Sequence, residues 1–158
     1  MVRVFNKILV ALDGSEHSLR ALDTAIQVGK KFHGKITLMH VYSVTVAPVM
    51  MPEPSTLTPA GMPVVTPAEV SKIVEAAREV GNRILADGAE KAKAEKLQVK
   101  TMLKEGNTVQ EIVRVAEEGK FDLIVMGVRG ISKIRELLLG SVSEGVIRHA
   151  HCPVIVVK

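Results

Sequence analysis

The sequence predicts an α/β protein: a doubly wound, five-stranded parallel sheet in the order 3-2-1-4-5 with helices on both faces. Three observations carry this expectation. Short apolar runs alternate with amphipathic segments of helical period from Lys7 to the last residues of the chain. No apolar run approaches the roughly 18 residues that would span a bilayer. A cluster of glycines and hydroxyls, Gly127-Val128-Arg129-Gly130 and then Gly140-Ser141-Val142-Ser143, stands where the fourth strand gives way to the last helix.

Residues 7–13, Lys-Ile-Leu-Val-Ala-Leu-Asp, read as a buried first strand. Residues 16–32 read as a helix with Leu19, Leu22, Ile26 and Gly29 near one face. A second strand is expected over 35–41. Thr66-Pro67-Ala68-Glu69 opens a long helix: Thr66 is a good N-cap, Pro67 suits the first helical position and Glu69 completes a capping box. Ile73, Ala77, Val80 and Ile84 give that helix an apolar stripe. Residues 97–104 read as a third strand, and Asn107 or Thr108 caps a helix running to Glu118 with Val109, Ile112, Val113 and Ala116 inward. Residues 121–126 read as the fourth strand, 141–149 as a helix opened by the capping-box pattern Ser141-x-x-Glu144, and 153–157 as the fifth strand.

Two strand orders are common in five-stranded sheets of this class, 3-2-1-4-5 and 2-1-3-4-5. The first places strands 1 and 4 side by side and opens a crevice between Asp13 and Gly127. Ligands bind at such a switch point, beyond the carboxyl ends of the strands. The glycine cluster lies at the carboxyl end of strand 4, which favours that order.

Length and composition narrow the functional classes. The 158 residues fit one domain, 1–158, with 47% hydrophobic and 24% charged residues. The net charge of +4 is mild, lysines and arginines are scattered, and aromatics are 3% with no Trp. Nucleic-acid binding is therefore not expected, nor is a membrane span or a signal peptide. The single cysteine, Cys152, excludes an internal disulfide and points to a reducing cytoplasm. Residues 43–66 hold Pro48, Pro52, Pro54, Pro59 and Pro63 together with Met50, Met51 and Met62. This stretch reads as a linker, the other reading being an adaptable apolar surface for a protein partner.

The glycine cluster points to an anion. Glycines at a strand-to-helix junction let backbone N–H groups approach closely, and a helix N-terminus adds unpaired donors and a partial positive charge. The spacing is neither that of a P-loop nor that of the dinucleotide fingerprint.

Several stretches together resemble the universal stress protein family: residues 8–18, Ile-Leu-Val-Ala-Leu-Asp-Gly-Ser-Glu-His-Ser; His40-Val41; residues 121–127; Gly130 with Gly140-Ser141; and residues 151–157, His-Cys-Pro-Val-Ile-Val-Val. The spacing Gly-x-x-Gly-x9-Gly-Ser is similar to the signature of the family's ATP-binding branch. The resemblance implies a Rossmann-like, adenine nucleotide alpha-hydrolase-like fold holding ATP, or ADP or AMP, together with Mg2+ or Mn2+. It implies that the backbone around Val41 meets the base and that Ala11 also binds the nucleotide. Asp13 would stand by the ribose or a metal-bound phosphate. Gly127, Gly130, Gly140, Ser141, Val142 and Ser143 would hold the phosphates. Arg129 either pairs with a phosphate or projects into solvent. The family also implies a homodimer through the strand at 153–157.

Other chemistry-bearing residues read as structural. His149, His151 and Cys152 lie too close in sequence to converge on a metal. His17 reads as a surface histidine and Cys152 as a small packed residue. Ser15 is a ready N-cap for the first helix, which leaves Asp13 for the ligand. An enzyme is the rival class. The His-x-Gly-His and Ser-Gly-Gly-x-Asp-Ser motifs of related transferases are absent, Arg129 and Lys133 supply cations near the motif, and no general base is evident beyond Asp13. A regulatory nucleotide-binding protein is expected, with a slow ATPase or a nucleotide-utilising enzyme activated by a partner as the alternative.

Overall fold

The computed structural model describes residues 5–45, 66–129 and 139–158. The expected loop lies almost wholly outside these residues, as does Gly130. The elements follow in the order β1 (Lys7–Ala11), α1 (Glu16–Phe32), β2 (Lys35–Tyr42), α2 (Pro67–Ala94), β3 (Val99–Glu105), α3 (Thr108–Glu118), β4 (Leu123–Gly127), α4 (Ser141–His149) and β5 (Val154–Val157).

All strand pairs are parallel and the sheet order is β3-β2-β1-β4-β5, as expected. β1 is central: Ile8 pairs with Ile36 on one side and Leu123 on the other. Strands covered on both faces must be apolar throughout, and Ile8, Leu9, Val10, Leu123, Ile124 and Val125 are fully buried. Side chains alternate between two cores. Ile8, Val10 and Leu38 meet Leu22 and Ile26 of α1 and Leu85 and Ala89 of α2. Leu9, Met39 and Ile124 meet Ile112 and Val115 of α3 and Val146 of α4. The Asp122 carboxylate accepts from the N–H groups of Asn6 and Lys7, fixing the start of β1 against the start of β4.

Several local expectations are corrected. Leu19 is 43% exposed; α1 buries Ser18, Ala21, Leu22, Ala25, Ile26 and Gly29 instead. The stripe expected on α2 is displaced: Ile73 and Val80 are about half exposed, and the buried face is Gly81, Leu85, Gly88, Ala89 and Ala92. The helix lies so close to the sheet that a Cβ at Gly88 would come within 2.8 Å of Leu12 Cδ1. Small residues make that approach possible, and Ile73 and Val80 are left outside. On α3, Val115 is buried where Val113 was expected. Phe121 and Asp122 precede β4 rather than belong to it, and β1 ends two residues before Asp13.

Candidate functional site

The carboxyl ends of β1, β2 and β4 and the first turns of α1, α3 and α4 surround one cleft of about 190 Å³. Its walls come from Ala11, Leu12 and Asp13 after β1, Met39 and Val41 of β2, and Met126 and Gly127 of β4. Ser18 of α1, Thr108 and Ile112 of α3, and Gly140, Ser141, Val142 and Ser143 of α4 complete it. Of the residues singled out in the sequence, Ala11, Asp13, Val41, Gly127, Gly140, Ser141, Val142 and Ser143 line this cleft. Arg129 is half-buried and is not among the lining residues, and Gly130 lies outside the described residues.

The base of α1 sets the position of Asp13. Ser15 caps the helix by accepting from Ser18 N–H at 3.2 Å, as expected. Asp13 is not entirely left to a ligand, because its Oδ1 accepts from Ser15 N–H at 2.9 Å. That bond holds the carboxylate over the turn and leaves the second oxygen for an incoming donor or cation. Gly14 follows with φ of +82°, a conformation that glycine adopts without strain.

α4 departs from the expected capping box. Its N-cap is Gly140, with no side-chain cap. Ser15, Thr66 and Asn107, by contrast, each accept a first-turn N–H of their own helix. Glu144 pairs with Arg148 at 2.8 Å instead of reaching back to the helix start. The first-turn N–H groups of an α-helix have no intrahelical acceptor, so those of Ser141, Val142 and Ser143 begin the helix with no N-cap side chain over them. The Ser143 side chain is committed elsewhere: its hydroxyl is 2.7 Å from the Val128 carbonyl and 3.1 Å from that of Gly140. One hydroxyl carries one proton. In this arrangement Ser143 therefore offers an anion its backbone N–H, not its side chain.

The glycines divide by role. A Cβ at Gly127 would come within 2.8 Å of the His17 backbone and 2.9 Å of Ser18 N, so this glycine lets α1 cross the end of β4. A Cβ at Gly140 would stand 3.0 Å from the Val128 carbonyl oxygen, where Gly140 N–H itself donates at 2.9 Å. Among the lining residues Asp13 is the one with an ionisable side chain; the rest are apolar, hydroxyl or glycine. Among the described lining residues, the positive charge available to an anion is thus that of oriented backbone donors. His149 Nδ1 lies 2.8 Å from the Gly145 carbonyl, as suits a helix C-terminus. Leu12, Ser18, Met39, Thr108, Ile112 and Met126 were missed as site residues. For Met39 the available signal was its place two residues before Val41, on the same strand face.

A family model for the universal stress protein family matches residues 5–158. The chain belongs to the universal stress protein family. The universal stress protein YxiE of Bacillus subtilis is 36% identical over 155 residues, covering 98% of this chain and 100% of the relative. A universal stress protein of Methanocaldococcus jannaschii is 37% identical over 155 residues, covering 98% of this chain and 83% of the relative. A solved universal stress protein in complex with cAMP is 28% identical, with a TM-score of 0.68 and 99% of each chain covered. Among the described residues of this universal stress protein, no helix is long and apolar enough to cross a membrane.

Proposed function

We propose that the chain is a regulatory, cytoplasmic stress-response module that binds ATP, or a related adenine nucleotide, in the cleft between β1 and β4. The observation that carries this reading is the convergence of Asp13, Val41 and the first turn of α4 on one cleft at the switch point of the sheet. The similar universal stress protein solved with cAMP supports the ligand class. In this reading the base sits by Ala11 and Val41, with Met39, Ile112 and Met126 as apolar walls. The second Asp13 oxygen accepts from ribose hydroxyls. The phosphates lie on the N–H groups at the start of α4, beside the backbone of Gly127, Gly140, Ser141, Val142 and Ser143.

The donor set fits a metal that arrives with the nucleotide. Mg2+ commonly keeps several waters and takes one or two carboxylates beside phosphate oxygens. Asp13 supplies one such carboxylate, and among the described residues no cluster of three His, Cys, Asp or Glu side chains provides a separate metal site. The metal would offset phosphate charge, while the chain's own groups orient the ligand.

Two subsidiary readings accompany this one. Residues 1–158 act as one domain, in keeping with a family match that spans nearly the whole chain. The protein forms a two-fold homodimer through β5, which lies at one edge of the sheet with all four residues only half-buried. An apolar edge of this kind invites pairing. Light scattering at micromolar concentration should give a dimer, and a monomer would exclude the pairing. For the ligand, protein purified without added nucleotide is heat-denatured and the supernatant chromatographed. Adenine nucleotide in the released fraction, together with restored binding of added ATP by the stripped protein, is the expected result. Failure of the stripped, folded protein to bind ATP, ADP or AMP would reject the reading.

A further inference from the structure

His40 stands on the face of β2 opposite Val41. It does not line the cleft, yet it decides how the strand above the cleft ends. β1 and β2 pair in register as far as Ala11 with Met39. At that last step Leu12 N–H donates to the Met39 carbonyl at 2.8 Å. One step further, a parallel ladder would have Val41 N–H donate to the Leu12 carbonyl. That bond is not formed. The His40 ring takes the carbonyl instead, with Nδ1 2.7 Å from Leu12 O. A carbonyl oxygen only accepts, so the ring donates from Nδ1–H.

The ring is held in this position by α2. A Cβ at Gly81 would fall 2.7 Å from His40 Cδ2, so the helix packs directly on the imidazole because residue 81 is glycine. The same helix reaches the turn after Asp13: a Cβ at Gly14 would lie 3.2 Å from Ile84 Cδ1. His40 therefore links three parts, the end of β1 that carries Asp13, the end of β2 that carries Val41, and the helix covering both.

We propose that His40 is a positioning residue of the ligand site. By drawing the Leu12 carbonyl to its ring it holds that oxygen off the Val41 N–H and stops the β1–β2 ladder one bond early. The Val41 N–H, which points to the β1 side of β2 beyond the last pair, is thereby kept for a hydrogen-bond acceptor on the edge of a bound base. This inference rests on the nucleotide reading of the cleft.

The test uses full-length protein, with amide exchange followed by NMR and ATP titrated calorimetrically. The variants are His40→Leu, which removes the donor, and His40→Asn, whose amide N–H stands near the position of Nδ1–H. In the ligand-free wild type the Val41 amide should exchange faster than that of Met39, and added ATP should slow it. In His40→Leu the ladder should close by one bond. The Val41 amide becomes protected without ligand, and ATP affinity falls by between about two- and tenfold, the value of one neutral hydrogen bond. His40→Asn should restore both. A purely structural role would lower the melting temperature of both variants with Val41 exchange and ATP affinity unchanged, and that result would overturn the proposal. If the wild type binds no adenine nucleotide, the nucleotide reading fails by itself. The ligand-free exchange at Val41 still decides whether His40 holds the ladder open.

Discussion

The Ser143 hydroxyl lies 2.7 Å from the carbonyl oxygen of Val128 and ties the first turn of α4 to the chain leaving β4. The same carbonyl accepts from Gly140 N–H at 2.9 Å, so both ends of the segment between them are pinned at one oxygen. Two neighbouring serines thus have different duties. Ser143 is 2% exposed and structural, whereas Ser141 is exposed at the mouth of the cleft.

Ser143→Ala should lower stability by about 0.5–1.5 kcal/mol, the net value of one hydrogen bond, since Val128 O keeps its Gly140 partner. Ser141→Ala should leave the melting temperature unchanged and weaken ATP binding about tenfold, the low end for a bond to an ionised group. Chemical denaturation and calorimetry on both variants check this. The opposite pattern, Ser141→Ala destabilised and Ser143→Ala impaired only in binding, would reverse the assignment.

Gly14→Ala should destabilise the fold by about 1–2 kcal/mol, because φ of +82° is costly once a Cβ is present. The added methyl would also press on Ile84 at 3.2 Å. An unchanged urea midpoint would show that the turn relaxes at no cost.

Acid should loosen the start of α2 before the sheet. Glu69 accepts from the Thr66 N–H at 2.7 Å and from its hydroxyl at 2.8 Å. The Thr66 backbone bond first, and the hydroxyl bond second, lower the Glu69 pKa. The charged form is favoured in the folded state, so this cap is complete above the ordinary Glu range of about 4.3 and is lost as pH falls through the lower folded value. Amide exchange at Glu69 and Val70 should accelerate in that window, and carboxyl NMR should find Glu69 titrating below an unpaired glutamate. A Glu69 titration at or above the ordinary value would contradict the capping box.

Much of this architecture was legible in the residues. β-strand runs such as Ile8-Leu9-Val10 declare burial on both faces, and the position of Gly127 at the end of β4 chose between two strand orders that periodicity leaves equal. α2 was less legible, because its packing face is Gly81, Gly88 and Ala92, and a hydropathy pattern follows the large Ile73 and Val80 that the helix turns outward. The Ser141-x-x-Glu144 pattern misled for a related reason. A capping box is a local preference; here Gly140 and Ser143 bond to Val128, and the N-cap is Gly140, one residue before Ser141. In the cleft, Asp13 and the glycines were readable as polar or small residues out of pattern, and Val41 only through the family resemblance. Met39, Ile112 and Met126 were not, since an apolar wall of a cleft has the same composition as core.

Turnover of ATP by the isolated protein should be far below the ~1–10³ s⁻¹ of dedicated enzymes. The cleft brings one carboxylate, Asp13, and none of its other lining residues is acidic or basic. Phosphoryl transfer needs charge stabilisation at the moving phosphate as well as a positioned nucleophile. A rate above about 1 s⁻¹ on that scale that disappears in Asp13→Ala would make the protein an enzyme.

The most direct measurement is calorimetric titration of ATP with Mg2+ into nucleotide-stripped wild type and into Gly140→Val, each first checked for a folded sheet by amide exchange in β1 and β4. The valine would place branched methyls against the Val128 carbonyl and the first-turn donors of α4, where even a bare Cβ stands 3.0 Å from that oxygen. The expected result is saturable binding near one nucleotide per chain in the wild type and a loss of at least tenfold in the variant, equivalent to one or more charge-assisted hydrogen bonds. Equal ATP affinity in the two folded proteins would mean that Gly140 serves the turn alone, and would contradict an anion site at the start of α4.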